Sequence, residues 1–324
     1  MDSINHNGIA VAGSVIVDKL HEIAAYPPCG QLTQILQTHT VAGGCVSNVA
    51  VDLKKLCPDL PVRALGRIGR DEDGAFVTAF MAESGVDVSA LNTDEDERTS
   101  FTQVMSVVGG QRTFLTYPGA GARFGYEDVD FDRLDADLLH LGYFLLLEKV
   151  DNGDGLRILQ EAKRRGVRTS IDLVSEASDR YHLVLPCLAY TDYFIVNEYE
   201  AGKLTGLDPE KDGLEKIARR LMELGVRERV VIHMPQYAVC LSHDGFTRVP
   251  SYRLPDGYIK GTTGAGDAFC AGVLAGIYYG WSDQKLLEFG SACAVMSLGQ
   301  ADATSGLVCA EDVEAFCKQF DRYE

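Results

Sequence analysis

The chain has 324 residues, 46% hydrophobic and 24% charged, the balance of a globular protein with enough chain for a large core. Its 47 acidic against 30 basic residues give a formal charge of −17, with no Lys/Arg block to offset it, which argues against nucleic acid or an anionic membrane as partner. Nine scattered cysteines without a Cys-x-x-Cys pair read as free thiols in a reducing compartment. The polar Met1–Gly8 stretch has no signal-peptide pattern and no apolar run is long enough for a bilayer, so a cytoplasmic location is expected.

Ile9-Ala10-Val11-Ala12-Gly13 is an apolar run ending in Gly, the pattern of a buried strand. Ser14-Val15-Ile16-Val17-Asp18 extends it to a carboxylate, which on its own would simply close an exposed strand. Val41 to Val51, followed by Leu53 and Leu56, reads as a strand, a turn at Gly43-Gly44 and an amphipathic helix carrying Asn48. Leu65 to Gly74 is a turn with a charged rim before a helix over 75–83, with no chemistry assigned to it. Phe101–Val107, a turn at Gly109-Gly110 and Arg112–Tyr117 form a hairpin-like pair, with Arg112 on a wet strand face.

From about residue 137 strands and helices alternate. Strand Leu138–Leu141 precedes a helix over 155–165, then come strand Thr169–Leu173, strand Tyr193–Asn197 with a helix over 198–204, the amphipathic helix 214–224 and strand Val230–His233. Such alternation implies a mostly parallel, doubly wound α/β sheet with ligands at strand C-terminal ends. Asn197-Glu198-Tyr199-Glu200-Ala201 stands at one such end. Its acids suit a helix start and equally a hard oxygen site for Mg²⁺.

The most informative stretch is Lys260-Gly261-Thr262-Thr263-Gly264-Ala265-Gly266-Asp267-Ala268-Phe269. Gly264 and Gly266 permit a tight turn with positive φ, and the helix that follows would present free N–H groups and its positive dipole end to an anion. Asp267 there is either a helix cap or a general base that takes a proton while the N–H groups hold phosphoryl charge. No Gly-x4-Gly-Lys-Ser/Thr exists, and Phe269 breaks a dinucleotide fingerprint.

The run Thr262–Phe269 resembles the C-terminal signature of the ribokinase-like (PfkB) carbohydrate kinases, and three further motifs occur in the family's order. Asp18 matches an Asp that binds substrate hydroxyls, Gly43, Gly44 and Asn48 match Gly-Gly-x-x-x-Asn-x-Ala, and Asn197 to Ala201 match Asn-Glu-x-Glu-Ala. The resemblance, spanning about Ile9 to Gly306, implies the ribokinase-like α/β fold: a core at 1–13, 46–97 and 119–324, and a β lid at 14–45 and 98–118. It implies an ATP-dependent kinase in which Asp18, Gly43, Gly44 and Asn48 hold the sugar and Asp267 is the base. Gly264, Ala265 and Gly266 form the anion hole, and Asn197, Glu200, His233 and Thr263 serve the nucleotide. Glu200 holds Mg²⁺ through water, and two subunits pair through the lid.

Departures qualify the substrate and cofactors. Ile16 and Cys45 replace polar residues of ribokinases, against ribose as acceptor. His233, Pro235 and Ala238 stand where the family has Thr and Gly residues that contact nucleotide. Gly261 replaces an Asp that helps hold K⁺, leaving K⁺ dependence doubtful. Asp172-Leu173-Val174-Ser175 lacks the Asp-x-Asn of many fructokinases. A nucleoside kinase and a non-catalytic sugar- or nucleotide-binding protein are the alternatives.

Overall fold

A computed structural model describes residues 7–107 and 112–324; the expected turn at Gly109-Gly110 lies outside these residues. Nine strands form one sheet in the order β13-β12-β11-β10-β9-β8-β1-β4-β5. They are β1 (Ile9–Ala12), β4 (Val62–Gly69), β5 (Asp87–Asp94), β8 (Leu138–Phe144), β9 (Arg168–Leu173), β10 (Tyr193–Asn197), β11 (Arg229–His233), β12 (Tyr237–Ser242) and β13 (Gly245–Pro250). Pairing is parallel from β5 through to β11, and β12 and β13 add an antiparallel edge, which the sequence reading did not include. The large sheet is therefore mostly parallel, as expected.

Both faces of this sheet are covered, so its strands are apolar on both sides. In β1, Ile9 and Val11 enter one core layer while Ala10 and Ala12 enter the other. The first layer packs under helices Cys45–Leu56, Ala265–Tyr278 and Asp283–Leu298. Gly272 allows two of these to approach closely, since a Cβ there would stand 2.9 Å from Cys293 Sγ and 3.0 Å from Gly290 Cα. The opposite layer holds helices Gly155–Arg164 and Leu214–Glu223.

A second sheet of four strands, ordered β3-β2-β6-β7, consists of β2 (Ile16–Ile23), β3 (Ile35–Gly43), β6 (Ser100–Ser106) and β7 (Arg112–Tyr117). Its β2–β6 pair is parallel and the outer pairs antiparallel. Residues 35–40 of β3 and all of β7, Arg112 included, are exposed. The chain passes from the large sheet into the small one through Gly13, Ser14 and Val15, so a single 15-residue segment reaches from the core to the lid.

Strand order reverses between β1 and β8: the chain proceeds outward through β4 and β5 on one side and through β9 to β13 on the other. Such a switch point leaves a crevice at the strand C-terminal ends, where open α/β sheets bind ligands.

Candidate active site

The crevice is built by close backbone approach. A Cβ on Gly13, at the end of β1, would stand 2.5 Å from Gly142 O in β8 and 2.8 Å from Cys45 Sγ. Gly43 has the same character, with Asp18 Oδ2 at 2.5 Å from a Cβ position, so this glycine lets the carboxylate lie against the backbone. Asp18 faces Val41 and Thr102 in the lid sheet. Burial pushes its carboxyl up to about 6, opposed by the Thr102 hydroxyl.

Gly44 turns β3 into helix Cys45–Leu56 with φ 83°. The helix start is satisfied by Ser14, whose Oγ accepts from Cys45 N (3.2 Å) and whose carbonyl accepts from Val46 N (3.1 Å). On this helix Asn48 is buried, and its Nδ2 donates to Asp267 Oδ2 at 2.8 Å. Asn48 Oδ1 has no partner among the described residues. The Gly43–Asn48 motif and the Gly264–Asp267 motif thus meet in one hydrogen bond between residues 219 apart in sequence.

Asp267 does not cap its helix. Gly264 occupies that position with φ 82°, and no side chain caps the end. A Cβ on Gly264 would lie 2.5 Å from Ala303 Cα, so glycine is required by both conformation and space. Gly266 is an ordinary helical residue, which corrects the expectation of positive φ there. Ala265 N reaches Thr262 O only at 3.4 Å, and the Gly266 and Asp267 N–H groups find no backbone acceptor among the described residues. These are the unsatisfied donors of a helix N-terminus.

Tyr143, at the end of β8, was missed from sequence. Its hydroxyl donates to Asp267 Oδ2 at 2.9 Å, and its backbone sits at φ 59°, uncommon for a bulky residue. Asp172 Oδ1 holds it there by accepting from Tyr143 N at 2.6 Å. The available signal was Gly142-Tyr143 at a strand C-terminal end. Burial, and then the charge of Asp172, push Asp267 up to about 7; the hydrogen bonds from Asn48 and Tyr143 oppose the shift. A carboxylate titrating near neutrality matches the need of a general base.

Asn197 and Glu200 open helix Glu198–Thr205 as a reciprocal capping box. Asn197 Oδ1 accepts from Glu200 N (2.9 Å) and Glu200 Oε2 from Asn197 N (3.1 Å). Ser175 Oγ donates to Glu200 Oε1 (2.7 Å) and accepts from Asn197 Nδ2 (2.8 Å). Burial raises Glu200 to about 7. Each of its oxygens accepts one of these hydrogen bonds, which leaves a lone pair on each for a further donor.

A cavity of about 180 Å³ runs between Asp267 and Glu200, lined by Tyr143, Asp172, Ser175 and Gly264 among others. A larger one of about 520 Å³ shares Asn197, His233 and Gly266 with it and has walls of Phe269, Leu254 and Ile259. Its volume is that of a small-molecule pocket. Pro235, Ala238 and Thr262 line it as well, while Thr263, exposed like Thr262, is not among its lining residues. The His233 ring lies 4.7 Å from that of Phe269, and burial pushes it down to about 4, so it is neutral at pH 7. A Cβ on Gly261 would stand 3.0 Å from the carbonyl oxygens of Gln300 and Ala301.

Residues 9–308 match the profile of the pfkB family carbohydrate kinases. The chain belongs to that family. As a carbohydrate kinase it is 28% identical over 282 residues to fructokinase-1 of Oryza sativa, covering 82% of this chain and 84% of that one. It is 25% identical over 289 residues to a ribokinase of Arabidopsis thaliana, covering 88% and 74%. The structure of Arabidopsis thaliana ribokinase complexed with ribose and ATP superposes with a TM-score of 0.84 at 22% identity, over 97% of this kinase and 99% of the other. The fold is therefore ribokinase-like.

Proposed function

We propose that this carbohydrate kinase transfers the γ-phosphoryl group of ATP to a hydroxyl of a sugar or sugar derivative, with Asp267 as base. The observation that carries the reading is the pairing of a buried carboxylate with an uncapped helix N-terminus at the junction of two cavities. Asp18, Gly43, Gly44 and Asn48 form the acceptor side, and the larger cavity takes the adenosine. Asp267 accepts the attacking hydroxyl's proton at Oδ1, because Oδ2 already accepts from Tyr143 and Asn48. The N–H groups of Gly264, Ala265 and Gly266 stabilise charge on the transferring group. Phosphoryl transfer asks mainly for such positioning and electrostatics. The relative with ribose and ATP bound supports the same two ligand classes here.

Mg²⁺ supplies neutralisation of the nucleotide's charge when bound. Asn197 and Glu200 fit it through water, since their oxygens already accept within the capping box and from Ser175 and keep a lone pair each for a further donor. Gly261 provides no carboxylate for K⁺, so we infer weak K⁺ dependence. The exposed apolar side chains of the lid, Ile35, Leu36, Phe114 and Leu115, each at least half exposed, support a homodimer formed through this sheet. The lid boundaries at 14–45 and 98–118 are part of the same proposal.

The test is ADP release with MgATP over a panel of sugars, adenosine, inosine and cytidine, with and without K⁺. Turnover with a sugar, little changed by K⁺, supports the reading. Turnover with nucleosides alone reassigns the acceptor, and neither turnover nor ATP binding points to a non-catalytic role.

A further inference from the structure

Beneath the small cavity, three buried side chains from three elements converge, none of them assigned a contact with the reacting groups. His140 (β8) is fully buried, and Asp172 (β9) and Cys270 (helix Ala265–Tyr278) are 8% and 2% exposed. His140 Nε2 lies 3.4 Å from Asp172 Oδ2 and 3.7 Å from Cys270 Sγ, and no pair among the three ligand atoms is farther apart than 4.8 Å. On the other side of the ring, His140 Nδ1 is 3.1 Å from Ser170 Oγ.

We propose that His140, Asp172 and Cys270 form a binding site for a thiophilic divalent cation, Zn²⁺ in particular, whose occupancy slows the kinase. This part of the claim rests on the kinase reading; the binding part does not. Tetrahedral Zn²⁺ with ordinary bond lengths holds N and O ligands about 3.4 Å apart, and N and S ligands about 3.6 Å apart. Both separations from His140 match, and the Asp172–Cys270 pair, bounded at 4.8 Å, closes to about 3.6 Å when the ion binds. One imidazole, one carboxylate and one thiol form a borderline-soft set that selects Zn²⁺ over Mg²⁺.

Two of the three ligands are themselves held by neighbouring groups. With its Nδ1 proton on Ser170 Oγ, His140 presents the Nε2 lone pair to the ion, and Asp172 is fixed through its other oxygen by Tyr143 N. Asp172 and Cys270 line the small cavity, which gives the ion an entry path and water as fourth ligand. On binding, the Cys270 S–H bond breaks, its proton leaves to solvent, and an S–Zn bond forms with no change of oxidation state. A dication bound at Asp172 Oδ2 offsets the negative charge that raises Asp267, while Oδ1 keeps its hold on Tyr143 N. Asp267 is then a weaker base, and phosphoryl transfer slows.

The metal-stripped protein would be titrated with Co²⁺, reading the thiolate-to-cobalt charge-transfer band, and with Zn²⁺ by calorimetry. One equivalent per chain is expected, with the band lost in Cys270→Ala, retained in Cys309→Ala (an exposed thiol beside Asp312), and affinity about 10-fold weaker in Ser170→Ala. No binding by wild type, or a band that survives Cys270→Ala, overturns the site. Should Cys270→Ala not fold, X-ray absorption on zinc-loaded wild type decides: one sulfur with nitrogen and oxygen neighbours supports it, and several sulfurs or none contradicts it. Zn²⁺ at one equivalent should slow turnover about 10-fold in wild type and leave Cys270→Ala unaffected. Zinc bound at the site with an unchanged rate overturns the inhibitory half alone.

Discussion

Three helices begin at the crevice, and their first turns are treated differently. Helix Cys45–Leu56 starts at Gly44 (φ 83°) and helix Ala265–Tyr278 at Gly264 (φ 82°), both without a side-chain cap of their own. Ser14 fills the role for the first by accepting from Cys45 N and Val46 N. Helix Glu198–Thr205 is closed by its Asn197–Glu200 box. Only the helix carrying Asp267 keeps its first donors unspent. The two glycines share a positive φ but not ψ, which is 154° at Gly44 and −7° at Gly264, and one start has a buried serine above it while the other opens on a cavity. Free N–H groups are costly where no ligand or solvent meets them, and the proposed function gives those of the second helix an anion to hold.

This contrast can be broken from both sides. The largest effect is expected for Asp267→Asn, which preserves shape and removes the base: turnover should fall about 10²–10⁴-fold in a steady-state ADP assay, with ATP binding retained. Gly264→Ala comes next. It forces a side chain into positive φ, at about 1–2 kcal/mol, and against Ala303; displaced donors should lower turnover about 10²-fold and the melting temperature with it. Asn197→Ala, at the satisfied helix start, should cost about 1 kcal/mol in a denaturant titration and affect turnover far less than either.

The last expected effect concerns stability and its dependence on pH rather than turnover. Burial lifts Asp18 and Asp151 to about 6 and Glu200 and Asp267 to about 7. Between pH 4 and 7 the folded state therefore binds more protons than the unfolded chain, and stability falls as pH rises through that window. Thermal melts at pH 5 and pH 8 should show the lower melting temperature at pH 8. Asp267→Asn should narrow the difference, gaining about 1–2 kcal/mol at pH 8.

The sheet was legible because strands buried on both faces leave continuous apolar runs, as in Ile9–Ala12 and Val230–Ile232. The phosphoryl loop was legible because Gly264 and Asp267 sit together in sequence. Tyr143 and Ser14 were not, since each acts through a partner far along the chain: Asp267 is 124 residues from Tyr143, and Cys45 is 31 from Ser14. That Asp267 is not a helix cap also needed three dimensions, because only the fold shows Gly264 taking the cap position. Asn197 and Glu200 carried two compatible meanings in sequence, and the helix-start geometry is present whether or not the metal is.

The central claim is that Asp267 is a base tuned upward by the Asp172 charge and downward by the Tyr143 hydroxyl. The most direct measurement is the pH dependence of single-turnover phosphoryl transfer in wild type, Tyr143→Phe and Asp172→Asn, in metal-chelated buffer with added Mg²⁺. The account predicts an acid limb near pH 7 in wild type, moved to higher pH in Tyr143→Phe and to lower pH in Asp172→Asn. A limb that stays in place in both variants would contradict it.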